Sequence, residues 1–163
     1  MQYKFTHKTQ LSGDQFMLMY ERMKTDVTLW KTLWYDGPPE SYEAWIRRNE
    51  TWWLALVENG KAPVGFFWLN GYMGRTAQIH FAIFEECRQD SVQIGKAALA
   101  WLEELGWLHS VYGLTPATHR HVFPFIQAIG FQILGNIPGA CWVDRKNKYV
   151  DGVASVYDFR RQR

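Results

Sequence analysis

Cysteine is nearly missing from this chain: two residues in 163, Cys87 and Cys141, without the paired spacing of metal ligands. That excludes a disulfide-stapled scaffold and fits reduced thiols in a cytoplasmic compartment. Long hydrophobic runs are missing too. The longest, such as WWLALV at 52–57, fall far short of a bilayer span, and the opening MQYKFTHKTQ has no apolar signal core, so no membrane partner is expected. Charge of one sign is not in excess, with 18 Lys and Arg against 16 Asp and Glu for a net +2, too small to signal a nucleic-acid binder, so no nucleic-acid partner is expected. The one basic cluster, Arg160, Arg161 and Arg163, reads as a solvated tail. Internal repeats and linkers are absent, as is the all-β patterning of aromatic carbohydrate binders.

What is present suits a single domain over 1–163. At 19.2 kDa and 47% apolar residues the chain can bury a real core. Aromatics reach 17%, with nine Trp, and must supply core and ligand-pocket wall, because exposing them all would invite aggregation.

Tyr3 and Phe5 alternate with polar neighbours, which predicts a first strand at about 2–8. Ser12 and Gln15 form a capping box; behind it Phe16, Met19, Tyr20, Met23 and Val27 keep helical spacing, and the pattern runs on toward Trp30 and Trp34. Asp36-Gly37-Pro38-Pro39 stops that helix, and a shorter one is predicted at about 40–50. Strands at 52–57 and 64–69 flank an Asn-Gly hairpin turn, and a Gly-Tyr-Met-Gly turn leads to a strand at 77–84. A helix at 91–105 is capped by Gly106, a strand follows at 111–114, and a helix ends before Gly130. Segments 131–143 and 149–159 read as a long final hairpin. The order β, α, α, β, β, β, α, β, α, β, β predicts a mixed α/β (α+β) sheet with helices on both faces.

Two stretches carry the chemistry. In TAQIHFAIFEECRQDSVQIGKAALAWLEEL (76–105) a strand, a polar loop and an amphipathic helix place free backbone N–H groups beside a strand end, a place to hold a phosphate. In THRHVFPFIQAIGF (118–131) a helix ends in Ile-Gly-Phe. With the closing NKYVDGVASVYDFR, the order and spacing of these segments resemble the GCN5-related N-acetyltransferase superfamily, as a divergent member. The resemblance implies a mostly antiparallel sheet whose fourth and fifth strands splay apart. Acyl-CoA, acetyl-CoA in the first instance, would lie in the splay as co-substrate, with no metal. It implies acyl transfer to a primary amine of a small molecule or a protein, within a ternary complex. The partners are then acyl-CoA and an amine acceptor, with a homodimer left open.

The chain departs from the family loop, Gln or Arg, two residues, Gly, one residue, Gly or Ala. With Arg88 in the first position, Ser91 and Gln93 fall where glycines belong. With Gly95 as the second glycine, Asp90 and Gln93 replace the first two motif residues and the loop is two residues longer. The longer register is favoured, because Gly95 then precedes the apolar stripe Ala98, Trp101, Leu102 and Leu105. Cofactor-binding residues on this reading are Arg88, Ser91, Gln93, Ile94, Gly95 and Lys96, His119 where the family has asparagine, and the Ile83 and Phe84 amides, which would polarise the thioester carbonyl. The family's tyrosine acid is replaced by Ile126 beside Phe125, neither of which donates a proton.

Amine acylation needs a proton acceptor, because a lysine-type amine with a pKa near 10.4 is neutral in only about one molecule in a few thousand at pH 7. His80, mid-strand among apolar neighbours, is the first candidate base, although a buried structural histidine has the same pattern. His119 and His121 stand near the missing acid, with surface placement the competing reading; His119 is the candidate replacement. Glu85 at the strand exit is a candidate base acting through water, beside Glu86. Tyr112 is an alternative donor, and Cys87 has no activating partner. The aromatics Trp30, Trp34, Tyr35, Tyr42 and Trp45 fall where the family shapes its acceptor pocket. Asp36 and Glu40 could hold a cationic amine there. The missing glycines and tyrosine favour a rival reading, a fold relative that has lost chemistry and binds or assembles.

Overall fold

Side chains alternate between two covered faces along central strands that are buried throughout, and this builds the molecule in three layers. In a computed structural model that describes residues 3–162, the strands are β1 Tyr3–His7, β2 Trp53–Asn59, β3 Ala62–Met73, β4 Thr76–Ile83, β5 Ser110–Pro116, β6 Gln132–Val143 and β7 Lys148–Asp158. Gln2, the expected start of the first strand, and Arg163, the end of the basic tail, lie outside the described residues. The strands form one sheet of order β1-β2-β3-β4-β5-β7-β6, antiparallel except for β4 and β5. Phe66 and Trp68 of β3 point to one face and pack with Leu54, Leu56, Ala82 and Phe84 under α1 Gly13–Thr25, α2 Val27–Leu33 and α3 Tyr42–Asn49. Phe67 and Leu69 point the other way and pack with Val57, Ile79 and Ile83 under α4 Ser91–Leu105 and α5 Val122–Ala128. No helix among the described residues is long and apolar enough to cross a membrane.

The expected helix through Trp34 is two helices. Asp26 leaves helical geometry at φ −81°, ψ 95°, and its carboxylate accepts the Leu29 N–H at 3.0 Å, which starts α2 afresh. Hydrophobic spacing passes through the break because both halves pack on one core. β3 also runs past the expected Leu69, so the Gly-Tyr-Met-Gly turn narrows to Gly74 and Arg75. The 91–105 helix and its left-handed cap Gly106 (φ 72°) match the expectation; α5 starts at Val122, which puts Pro124 in its first turn, where a missing N–H costs no helical bond.

β4 and β5 pair over three positions only, Thr76 with Ser110, Ala77 with Val111 and Gln78 with Tyr112. Beyond Gln78 the strands part, which is the splay the resemblance implied.

Candidate functional site

The parting of β4 from β5 opens a cavity of about 290 Å³, walled by Ile79, Phe81 and Ile83 of β4, Gly113 to Pro116 of β5, and Phe125 and Ile126 of α5. Arg88 and Ser91 stand at its α4 end, and His119 and His121 on the far wall. A second cavity of about 250 Å³ lies on the α1–α3 side, bounded by Trp34, Trp52, Trp68, Asn70, Asp36 and Arg48. Three residues line both: Leu33, Tyr35 and His80.

The amides facing the splay follow from strand geometry. Phe84 N–H donates to Val64 O at 3.1 Å, so the expected Phe84 donor is already engaged by β3. Alternation turns the Ile83 and Phe81 amides the opposite way, toward the side on which β5 has departed. Of the expected pair, only Ile83 faces the opening.

The entry to α4 is not the open loop that the sequence suggested. Glu85–Asp90 is a 3-10 turn that runs directly into α4, and the Ser91 N–H donates to Arg88 O. Gly95 therefore lies inside the helix. An added Cβ there would stand 2.9 Å from Ile129 Cγ2 and 3.1 Å from Phe125 Cζ, so this glycine lets α4 approach α5. Ile94 is buried in the core, while Gln93 and Lys96 are exposed. Arg88 is ion-paired to the buried Asp26, which ties this turn to the α1–α2 break. The Glu85 side chain is 75% exposed, lies outside both cavities and stands 3.8 Å from Arg88.

His80 stacks flat on Trp68, centroids 4.8 Å apart, and its Nε2 is 3.1 Å from Asn70 Oδ1. A carbonyl oxygen only accepts, so Nε2 carries the proton and Nδ1 keeps the ring's lone pair. Burial pushes its pKa down to about 4, holding the ring neutral.

His119 is 4% exposed, and its Nδ1 is buried with no hydrogen-bond partner among the described residues. Its pKa falls to about 4, through burial first and then His121, Arg145 and Lys146. Its ring meets Tyr35 edge-on at 6.0 Å. Burial, then Cys141 and Asp36 nearby, raise the Tyr35 pKa and keep its hydroxyl protonated. Tyr35 is the residue that sequence reasoning undervalued. The sequence places it only among pocket aromatics; its position just past the C-terminal cap of α2, edge-on to His119, brings it to the junction. Tyr112 donates instead to Gly71 O at 3.2 Å. Among the described residues no group of three or more His, Cys, Asp or Glu stands together as a metal site.

The sequence matches no protein-family model and no curated protein. Solved structures do resemble the fold. The spermidine N-acetyltransferase from Vibrio cholerae in complex with CoA and spermine superposes with a TM-score of 0.78 at 15% identity, over 98% of this chain and 96% of that one. A spermidine N-acetyltransferase chimera from Vibrio cholerae and hSSAT gives 0.79 at 15% identity, over 99% and 98%. At that identity the likeness shows a shared fold.

Proposed function

We propose that this chain is an N-acetyltransferase-type enzyme that moves an acetyl group from acetyl-CoA to a primary amine. The observation that carries the proposal is the junction: the cavity in the splay, which α2 also lines, and a neighbouring cavity on the α1–α3 side share His80 and Tyr35. A transfer without a covalent enzyme intermediate needs two substrates meeting at one point. The likeness to a structure holding CoA and spermine supports the same reading.

The splay fits the co-substrate. Its gap-facing amides at Phe81 and Ile83 suit a pantetheine chain and a thioester carbonyl, and the His119 Nδ1 in its wall has no partner among the described residues. Val92 and Gln93 amides in the first turn of α4, with Ser91 Oγ, would face the diphosphate. His80 Nδ1 accepts the proton from the acceptor ammonium, directly or through water. The amide C–N bond then forms as the thioester C–S bond breaks. Tyr35 gives its proton to the departing sulfur and is reprotonated through water by the proton that the acylated nitrogen sheds, while His80 releases the ammonium's proton to solvent.

Saturating acetyl-CoA tests the reading. At a hundred times its dissociation constant it adds about 2.7 kcal/mol, a rise of several degrees in Tm, with thiol release on adding amines. One feature favours a binding module instead: the 3-10 entry to α4 engages the Ser91 amide, and Asp26 balances the Arg88 charge. Protection by acetyl-CoA without thiol release from a broad amine panel would establish that reading, and no protection at millimolar cofactor would remove both.

A further inference from the structure

The second cavity is rich in indoles, yet it is not an ammonium cage. β2 and β4 flank β3 on opposite sides, so Trp68 is sandwiched between Trp52 (5.1 Å, 7°) and His80 (4.8 Å, 5°). The Arg48 guanidinium already lies over Trp34, with Cζ 5.4 Å from the ring centroid. Cations are held by ring faces, and both faces of Trp68 and one face of Trp34 are taken; ring edges carry partial positive charge and repel them. The charged groups are Asp36 and Arg48, both exposed, and neither forms an ion pair among the described residues. Arg48 is anchored by Nη1 donating to Gly37 O at 3.1 Å, which leaves the rest of its donor fork available.

A polyamine entering this cavity would meet one carboxylate, one opposing guanidinium and a Trp68 ring with no open π face. A monoamine with an aryl or apolar middle and a carboxylate at its far end would find each part matched. Its amine reaches His80, its middle packs on the indole wall, and its carboxylate meets a planar fork suited to bidentate pairing. We infer that the acceptor is such a carboxylate-bearing aryl or alkyl amine, with Arg48 as the residue that selects it. The inference rests on the transferase reading for the amine's position at His80, but recognition is measurable without turnover.

The test is calorimetric titration of the full chain, saturated with CoA, using phenethylamine, its para-carboxylate and spermidine as probes. The carboxylated probe should bind about tenfold more tightly than phenethylamine, as a charge-assisted contact at a partly exposed site allows. Arg48→Met should shrink that gap to within about threefold, and Arg48→Lys should retain part of it, since charge remains but the fork is lost. In the wild type alone, the gap should narrow as salt rises. Equal affinities, tighter spermidine binding, no binding of the carboxylated probe at millimolar concentration, or a gap that survives Arg48→Met would each overturn the inference. Failure of the transferase reading registers separately, as absent acetyl-CoA protection and absent thiol release with every amine.

Discussion

His80 joins two demands that usually conflict. Its stacking on Trp68 and its bond to Asn70 fix the ring, and burial takes its pKa to about 4, so Nδ1 is free to accept throughout the neutral range. As the proposed base it is already deprotonated above about pH 5, so the acid limb of the rate profile should follow the acceptor's ammonium rather than this imidazole. His80→Gln should lower turnover by roughly a hundredfold while leaving the acetyl-CoA thermal shift intact; steady-state kinetics beside thermal shift separates the two, and unchanged turnover makes His80 purely structural. Tyr35→Phe should cost about tenfold to a hundredfold in kcat with little change in stability, and wild-type kcat in this variant removes the acid role. His80 was legible in the sequence because strand alternation among apolar neighbours already implied a buried neutral imidazole. Tyr35 was not, because its role depends on two distant segments, the end of α2 and the turn before α5, closing on the same point.

Among the elements, α4 shows both the reach and the limit of pattern reading. Its span and its Gly106 cap were written in the amphipathic stripe and the left-handed glycine. The meaning of Gly95 was not: a glycine near a helix start looks alike whether a diphosphate or another helix comes close. Gly95→Ala should destabilise the protein by about 1–3 kcal/mol in a denaturant melt, because the new methyl must displace the Ile129 and Phe125 side chains. Unchanged stability would show that α4 and α5 have room to spare. The break at Asp26 escaped the periodicity for the reason given by its packing, since α1 and α2 share one core. Asp26→Ala removes both the α2 cap and the partner of Arg88, and should cost about 2 kcal/mol by the same measurement.

At the scale of the whole molecule, the order of strands and helices was legible because each element carries its own period, and the order alone restricts the sheet to few topologies. Two histidines with lowered pKa, the half-buried His80 and the buried His119, give the fold a pH signature. Above their ordinary pKa of 6.5 they are neutral whether the chain is folded or not, and contribute nothing. As pH falls from 6.5 toward 4 the unfolded chain takes up protons that the folded chain refuses. Stability should therefore drop across that window, by roughly 3 kcal/mol for His80, with His119 acting in the same direction. Urea melts at pH 7 and pH 4.5 on the wild type and His80→Gln measure this, and an equal drop in both would assign the loss to other groups.

The three-rung contact between β4 and β5 also sets a rhythm in time along a single strand. Past Gln78, every second amide of β4 is clasped by β3 while its neighbour looks across an open seam. Deuterium should therefore enter Phe81 and Ile83 quickly and Ala82 and Phe84 slowly. A ligand lying in the seam would slow only the fast pair, so its arrival could be read from two backbone protons before any reaction is observed.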